Sequence, residues 1–487
     1  MTKSRDTANI IKQPFTQTLG TSNYRAGVNA GNSITSGGNH NVAVGDEAGT
    51  AITTGDQNVF IGYQAGDATT TAGFNIGIGY NALGTNILGG RSVAIGNAAL
   101  EAQNYSTATD AYNVAIGHGT GEAVTTGVQN TLIGGIAGDA LTDADYNVAV
   151  GAGALTLDTL GSRTVAIGTG ALSAQNFTSA TDTYNVAVGY DAGDRVTTGI
   201  QNTIVGALAG DAFTDADFNV AVGSKALSAD TLGSRSVAIG RSALAAQNFT
   251  SATNTYNVAV GMSAGAAVST GIRNTFLGAD TATSANTGND NVFLGYNAGT
   301  YSVATTTGSQ NTVLGSYARI GNAGDSNAVA IGHDVVGTAG FTTLGNGTAD
   351  IRAAHGNVTW NTVSDQRYKK DIVNSTAGLS FINDLTPRTF KYKNLGELPE
   401  TFNAYKADST DVFKNSVTNH GFIAQEVKTA IDAHPELKDG FALWGERPDG
   451  GQEIGEAALI PMLVKAIQEL STKNDALEAR ITALEGA

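Results

Sequence analysis

The sequence predicts a mainly β chain of stacked parallel coils, followed by a small α+β domain that ends in a coiled coil. A glycine-punctuated strand motif recurs from residue 41 to residue 345 of the 487. No proline lies between Pro14 and Pro387, whereas five of the six prolines and 14 of the 27 basic residues follow residue 363. The final segment spaces its apolar residues by three and four, which is typical of a coiled coil.

The repeated motif is Asn/Ser-Val/Thr-small-Ile/Val-Gly, as in Asn41–Gly45, Asn58–Gly62 and Ser92–Gly96. Its glycines recur at three equal intervals followed by a longer one, and this 72-residue block starts again at Gly117. Eighteen such glycines occur, the last of them in a weak motif. A fixed period of this length predicts coils that bury apolar surface against their neighbours.

Within a motif, the apolar alternation of Val42 and Val44 around Ala43 predicts a short strand with one aliphatic face. We expect stacking to bury the valines and to place the asparagines in ladders. The glycine ends each strand where the backbone bends or approaches another closely. Segments such as Thr53–Gln57 predict turns. At ~4.8 Å per coil, eighteen coils would extend ~85 Å.

Composition excludes several function classes. The net charge of −16 argues against nucleic-acid binding, and the chain has no cysteine. No apolar run reaches membrane-helix length, and the polar start of the chain suggests synthesis in a cytosol without a secretion signal. His118 and His333 follow motif glycines, but single histidines are usually loop residues, so we expect no metal and no cofactor.

The Val-Ala-Ile-Gly core of the repeat resembles the head repeats of trimeric autotransporter adhesins, which form left-handed parallel β-rolls. The resemblance covers roughly residues 41–345. The period differs, because the adhesin coil is shorter than even the shorter coils of this chain. A bacterial trimeric adhesin is itself disfavoured, since we see no secretion signal or membrane anchor.

Four segments in order carry a second resemblance: Ser364–Lys369, Gly378–Pro387, His420–Val427 and Leu459–Leu470. Residues 364–487 resemble the intramolecular chaperone domain of phage tailspikes and tail fibres, the endosialidase type classed as serine self-peptidases. The resemblance implies that Ser364 is the nucleophile, that Lys369 is its base, and that the bond between Val363 and Ser364 is cut.

The cut would happen once per chain, so the only enzymatic activity expected is self-cleavage. Serine is a weak nucleophile until a neighbour takes its proton, and a desolvated lysine can do so. Lys370 is a second basic residue beside the motif. Residues that could support the cut, each with a structural role as the alternative, are Asp365, Arg367, His420, Gln425 and Glu426.

The coiled-coil seam steps 3-4-3-4 through Ile460, Leu463, Ile467, Leu470, Asn474, Leu477, Ile481 and Leu484. Asn474 at an a position would fix the register. An amphipathic helix packed on its own domain is the alternative. Isoleucine at a with leucine at d favours dimers, so the expected homotrimer is implied by the two resemblances and not by the seam.

The resulting domain prediction is a trimeric fibre. It comprises a virion-attachment segment (1–35), a shaft (36–348), a neck (349–363) and a self-cleaving chaperone domain (364–487) with its coiled coil at about 459–485. The function implied is that of a phage tail fibre in the virion, synthesised in the host cytoplasm. Its expected partners are a tail or baseplate protein at the N-terminus and a receptor on the bacterial surface, either a polysaccharide or an outer-membrane protein, with no membrane insertion.

The alternative function is a tailspike depolymerase that cuts surface polysaccharide. Glycosidases need two carboxylates at a set separation. Asp139, Asp143 and Asp145 recur one block later as Asp211, Asp215 and Asp217, which favours turn capping over a unique site.

Overall fold

The computed structural model describes residues 20–300, 307–347, 349–357, 360–362, 364–437 and 441–486. The chain divides into two compact units, Met1–Val363 and Ser364–Ala487. The first unit is a β-solenoid built on a 21-stranded sheet, and the second is a small α+β domain. Both features confirm the predicted fold class.

The solenoid stacks one short strand per coil in parallel, with each strand paired to the next in register, as in Val42 opposite Val59. In the described residues these strands are Tyr24–Ala26, Val42–Val44, Val59–Ile61, Ile76–Ile78, Val93–Ile95, Val114–Ile116, Thr131–Ile133, Val148–Val150, Val165–Ile167, Val186–Val188, Thr203–Val205, Val220–Val222, Val237–Ile239, Val258–Val260, Thr275–Leu277, Val292–Leu294, Thr312–Leu314, Val329–His333 and Phe341–Asn346.

Two antiparallel strands, Ala349–Ala354 and Asn361–Thr362, extend this sheet. Short parallel strand pairs join some coils on a second side: Gly89–Gly90 with Thr109–Asp110, Gly161–Ser162 with Thr181–Asp182, Gly233–Ser234 with Thr253–Asn254, and Arg319–Ile320 with Val336–Gly337. In the first three of these pairs, the second strand lies in the longer coil of its block.

Stacking begins one coil earlier than the period predicts. Tyr24–Ala26 pairs with Val42–Val44, inside the segment that the sequence assigned to attachment. This coil escaped the motif because tyrosine and alanine replace its valine and isoleucine, and because the interval from Gly27 to Gly45 fits neither of the two regular intervals. Residues 1–19 lie outside the described residues.

The expectation that the valines fill the core is wrong. Ala43 is fully buried, whereas Val42 and Val44 are only half-buried. Alternation separates two faces of a strand but does not say which of them points inward. The small central residue leaves room for large turn side chains such as Leu83, which is also fully buried. The valines and isoleucines therefore form an outward-facing row, which we call the aliphatic stripe.

The asparagine ladder is confirmed. Fully buried Asn58 accepts a hydrogen bond from the Asn75 backbone N–H through Oδ1 at 3.0 Å, and its Nδ2 donates to the Ala72 carbonyl oxygen at 3.0 Å. Its own N–H donates to Asn41 Oδ1 at 2.9 Å. Neighbouring coils thus satisfy one another's buried asparagine side chains, which would otherwise destabilise the fold.

The motif glycine is required by close approach. Gly62 has a φ of +139°, and a Cβ at this position would lie 2.3 Å from the Gly79 carbonyl oxygen. A side chain therefore fits neither the backbone conformation nor the space between successive coils.

The second unit surrounds a core that includes the fully buried Phe381. Its helices are α1 (Leu379–Asp384), α2 (Ala424–Asp432) and α3 (Ile460–Glu485). Two hairpins pair Arg388–Phe390 with Asn419–Gly421 and Trp444–Glu446 with Gln452–Ile454. Short 3₁₀ turns lie at Gln366–Tyr368, Leu395–Glu397, Pro435–Leu437 and Glu456–Leu459.

Candidate active site

Ser364 and Lys369 lie at the start of the second unit and contact each other directly. Lys369 Nζ donates a hydrogen bond to Ser364 Oγ at 2.7 Å. The intervening 3₁₀ turn brings the two side chains together, because Asp365 caps it by accepting a hydrogen bond from the Arg367 N–H at 2.8 Å. The Lys369 N–H closes the turn on the Gln366 carbonyl oxygen at 3.0 Å.

This pair has the parts of a nucleophile and a base. An amine in hydrogen-bond contact with a hydroxyl can take its proton as the oxygen attacks. A lysine acts as a base only in its neutral form, which is favoured when water is removed. In the single chain both Ser364 and Lys369 are exposed to solvent. Val363, on the other side of the expected cut, lies outside the described residues.

The side chains of Asp365 and Arg367 form an ion pair with each other. The Arg367 guanidinium contacts the Asp365 carboxylate through Nη2 at 2.6 Å and through Nε at 3.1 Å. This hydrogen bonding lowers the pKa of Asp365 below its ordinary value. Both residues hold the shape of the turn. Lys370 follows the turn and is exposed, and the hydrogen bond to Ser364 comes from Lys369.

The other expected supporting residues lie around the first hairpin and the start of α2. Glu426 accepts two hydrogen bonds from Arg388, at 2.8 and 3.0 Å, which lower the pKa of this carboxyl. His420 is an exposed strand residue opposite Thr389, and Gln425 lies in the first turn of α2. Among the described residues, no hydrogen bond or ion pair joins His420, Gln425 or Glu426 to Ser364 or Lys369.

The first part of the second unit matches a known protein family. Residues 364–435 match the Peptidase S74 family, chaperone of endosialidase. The match begins at Ser364, which is also the first residue of the second compact unit. Comparison with curated proteins and with solved structures gives no match. With a long β-solenoid followed by a match to the chaperone of endosialidase, this chain is similar in organisation to a tail fibre or tailspike.

His434 is a buried residue of the chaperone domain that the motifs did not single out. Its Nε2 lies 2.8 Å from Asp384 Oδ2, its Nδ1 lies 3.2 Å from Glu436 Oε1, and its ring packs edge-on against Phe381. Only 8% of the residue is exposed. It joins the end of α1 to the turn Pro435–Leu437. No sequence signal links His434 to Asp384, because they are 50 residues apart.

We expect the chaperone domain to lose stability as pH rises through the titration of His434. The hydrogen bond to Asp384 raises the pKa of His434 above its ordinary value of 6.5, although burial opposes this. A raised folded-state pKa stabilises the fold below the unfolded-state pKa, and that contribution disappears as pH rises through the folded-state pKa. The loss should be on the order of 1 kcal/mol, less than the ~1.5–3 kcal/mol of a hydrogen bond to a charged group, because the Asp384 side chain is 53% exposed to solvent.

The measurement is urea unfolding at pH 5.5 and pH 8.5, followed by the fluorescence of Trp444, which packs against the domain core. A Trp360→Phe background isolates this signal, since the chain has two tryptophans. His434→Gln should remove most of the pH dependence, whereas His420→Gln should keep it. Equal pH dependence in the His434→Gln variant would refute the assignment.

Helix α3 presents two different faces. Ala466 is 4% exposed, and Glu469 Oε2 accepts a hydrogen bond from the Leu379 N–H of α1 at 2.9 Å, so one side of the helix packs on the chaperone domain. The predicted seam faces solvent: Ile467 is 64% exposed and Leu477 is 54% exposed. Asn474 is also exposed, and Ile460, Leu463, Leu470, Ile481 and Leu484 are between 42% and 74% exposed.

In the described part of the chain, none of the helices combines the length and the apolar character needed to cross a membrane. The same part contains no group of three or more acidic or histidine side chains arranged to hold a metal ion. His118 is exposed, and the ring of His333 packs edge-on against Tyr317.

Proposed function

We propose that this chain is a phage tail fibre that adheres to the bacterial surface, and that its chaperone domain directs trimerisation and is then released by one cut between Val363 and Ser364. The observation that carries the proposal is the 2.7 Å hydrogen bond between Lys369 Nζ and Ser364 Oγ. It lies at the first residue of the matched domain and at the boundary between the two compact units.

In the proposed reaction, Ser364 Oγ attacks the carbonyl carbon of Val363 while Lys369 takes the hydroxyl proton. The bond between this carbon and the Ser364 nitrogen breaks, and the nitrogen leaves with a proton as a free amine. The resulting ester joins Val363 to Ser364 Oγ. Water then hydrolyses it, which yields the Val363 carboxylate and restores the serine hydroxyl.

Solvent exposure of the pair explains why the cut should follow assembly. The neutral form of a lysine is favoured by desolvation, and the single chain leaves Lys369 exposed. Neighbouring chains packed around this turn would remove water from the amine and hold the peptide in place. An unassembled chain would therefore keep its chaperone domain.

The exposed seam of α3 supports association through this helix. Its a and d side chains are largely exposed on their own domain, which disfavours the alternative of an amphipathic helix serving one chain. Burial of one Ile or Leu side chain contributes about 1.5–3 kcal/mol. Eight seam positions along 26 helical residues provide a long surface of this kind. Asn474 in its middle would set a single register.

The aliphatic stripe supports association along the shaft. Its outward side chains include Ile61, 38% exposed, Leu277, 44% exposed, and Val292, 45% exposed. A contiguous exposed apolar row of this length marks a surface that another protein covers. Identical chains carry identical rows, so a parallel homotrimer would cover all three.

The repeat creates the need for a chaperone. Chains with a 72-residue period can pair one block out of step and still match most of their contacts. Non-local parallel pairing is also slow and prone to aggregation. A C-terminal domain that joins three chains at one end sets the starting register. Once this domain has been removed, the fibre can no longer unfold by reversing the chaperone-assisted folding pathway.

The depolymerase remains the second candidate, and the carboxylates favour it only weakly. Asp143 accepts a hydrogen bond from Thr126 Oγ1 at 2.6 Å, and Asp145 accepts one from the Val128 N–H at 2.7 Å. Asp215 and Asp217 repeat both contacts one block later, which fits turn capping. Asp139 and Asp211 differ, since the Oδ1 atom of each is buried without a hydrogen-bond partner.

Incubation of the purified fibre with bacterial cells separates the two functions. An adhesin should sediment with the cells and release no oligosaccharide into the supernatant, as measured by mass spectrometry. Release of oligosaccharides that is lost in an Asp139→Asn/Asp211→Asn variant would establish the depolymerase instead. Asp143→Asn/Asp215→Asn is the matched control.

A further inference from the structure

A column of exposed aromatic and arginine side chains runs along one corner of the solenoid. It is formed by the residue that precedes the motif asparagine or serine in successive coils. Phe74, Arg91 and Tyr112 occupy this corner with φ between 52° and 65°. The Arg91 guanidinium carbon lies 4.6 Å from the Phe74 ring centre and 5.8 Å from that of Tyr112. Phe74 is 46% exposed and Tyr112 is 51% exposed.

The same group returns in each of the next two blocks, where Tyr184 and Tyr256 occupy the position of Tyr112. Arg163 lies 4.8 Å from the Tyr146 ring centre, and Arg235 lies 4.6 Å from that of Phe218. Gln129 occupies the corner between the first and second groups. Four coils separate equivalent groups, which corresponds to ~19 Å at ~4.8 Å per strand. One chain therefore carries three copies of one surface feature at a regular spacing.

Each arginine is fixed by a polar partner on the neighbouring coil. Arg91 Nε lies 3.0 Å from Asp110 Oδ2, and Arg163 Nε lies 2.9 Å from Asp182 Oδ1. In the third copy Arg235 Nε donates to Asn254 Oδ1 at 3.0 Å. A guanidinium held against a ring and by a hydrogen bond is pre-organised, so little conformational entropy is lost when a ligand binds its other N–H groups.

Backbone preference does not explain the aromatic residues. A left-handed corner favours glycine or asparagine, and other side chains there cost about 1 kcal/mol or more. A coil needs no large ring at this point, because these rings lie outside the core. An interface core would also exclude charge, whereas the first two groups carry exposed ion pairs.

We propose that each aromatic–arginine group is a subsite for a sugar ring of a repeating bacterial surface polysaccharide. The proposal rests on the adhesive function and names its receptor class. The exposed parts of the rings offer an apolar surface to the C–H side of a pyranose, and the arginine with its carboxylate or amide partner offers donors and acceptors to sugar hydroxyls. A polymer with a regular repeat engages several equivalent subsites at once, which raises its avidity without new contacts.

The test compares two sets of substitutions at one corner. Tyr112→Asn/Tyr184→Asn/Tyr256→Asn removes a ring from every group, and asparagine accepts the left-handed backbone. The matched control, Gln129→Asn/Gln201→Asn, changes the same corner outside the groups. Light scattering checks that each fibre assembles as the unmodified one does. Binding is measured on a panel of bacterial strains, with each strain untreated, treated with periodate to oxidise its sugars, or treated with proteinase K.

The proposal predicts that periodate abolishes binding, that proteinase K leaves it, and that the tyrosine variant binds at least about a hundredfold more weakly, in line with lost avidity. The glutamine control should stay within about twofold of the unmodified fibre. Binding that proteinase K abolishes would keep the adhesive function and overturn the glycan subsites. Unchanged binding by the tyrosine variant would overturn them too, as would failure of that variant to assemble, which would make the column a contact between chains.

Discussion

Substitution of Ser364 by alanine is expected to leave a single chain of 49.4 kDa, whereas the unmodified protein yields the fragments 1–363 and 364–487. The substitution removes the attacking oxygen of the proposed reaction. It leaves the capped turn, since that turn depends on Asp365 and Arg367. Denaturing gel electrophoresis after expression provides the measurement.

Lys369→Ala should slow the same cut by a factor on the order of 10²–10⁴, which is the contribution of a positioned general base. Lys370→Ala is the matched control, because it removes an adjacent lysine that does not contact Ser364. The pair of variants thereby separates a specific base from local positive charge. Equal loss of cleavage in both variants would contradict the assignment of Lys369, and cleavage of Ser364→Ala would contradict the mechanism as a whole.

Ile467→Asp/Leu470→Asp is expected to prevent association of the chains. The two residues are 64% and 51% exposed in the single chain. If three chains bury them, the double change removes on the order of 10 kcal/mol, at about 1.5–3 kcal/mol for each side chain. Cleavage should fail with assembly, because the lysine then stays exposed. Light scattering in the Ser364→Ala background measures the mass, and gel electrophoresis of the same double variant with Ser364 retained measures the cut.

The control for this prediction is Gln468→Asp/Thr472→Asp, which adds the same charge to the outer side of α3. Gln468 and Thr472 are exposed and do not belong to the seam. This variant should keep the trimer mass and the cleavage of the unmodified chain. A trimer in the seam variant, or a monomer in the unmodified protein, would show that α3 does not join the chains.

The solenoid could be predicted from the sequence because the residues that cause each coil to form are close together in the chain and recur in every coil. Each coil carries the same strand, turn and glycine, so spacing alone indicates stacking. The same pattern misassigned Val42 and Val44, since alternation gives two faces and only the packing of Leu83 and Ala43 decides which one is inside. The first coil was missed where Tyr24 and Ala26 depart from the motif.

The candidate site was predictable where its partners are close in the chain. Ser364 and Lys369 are five residues apart, and a single turn brings them into contact. His434 and Asp384 meet only through the packing of α1 against the turn after α2, so no spacing could indicate them. Glu426 was singled out by its motif, but its partner Arg388 lies 38 residues away, on a strand and not on α2.

The most direct test of the central claim is the intact mass and N-terminal sequence of the fragments from purified, unmodified protein. Self-cleavage at the proposed bond predicts a small fragment that begins at Ser364 and a large fragment that ends at Val363. A single species of 49.4 kDa would contradict the claim. A cut at any other bond, such as one after Lys369 or Lys370, would contradict it equally, because it would indicate a host protease acting on an exposed turn.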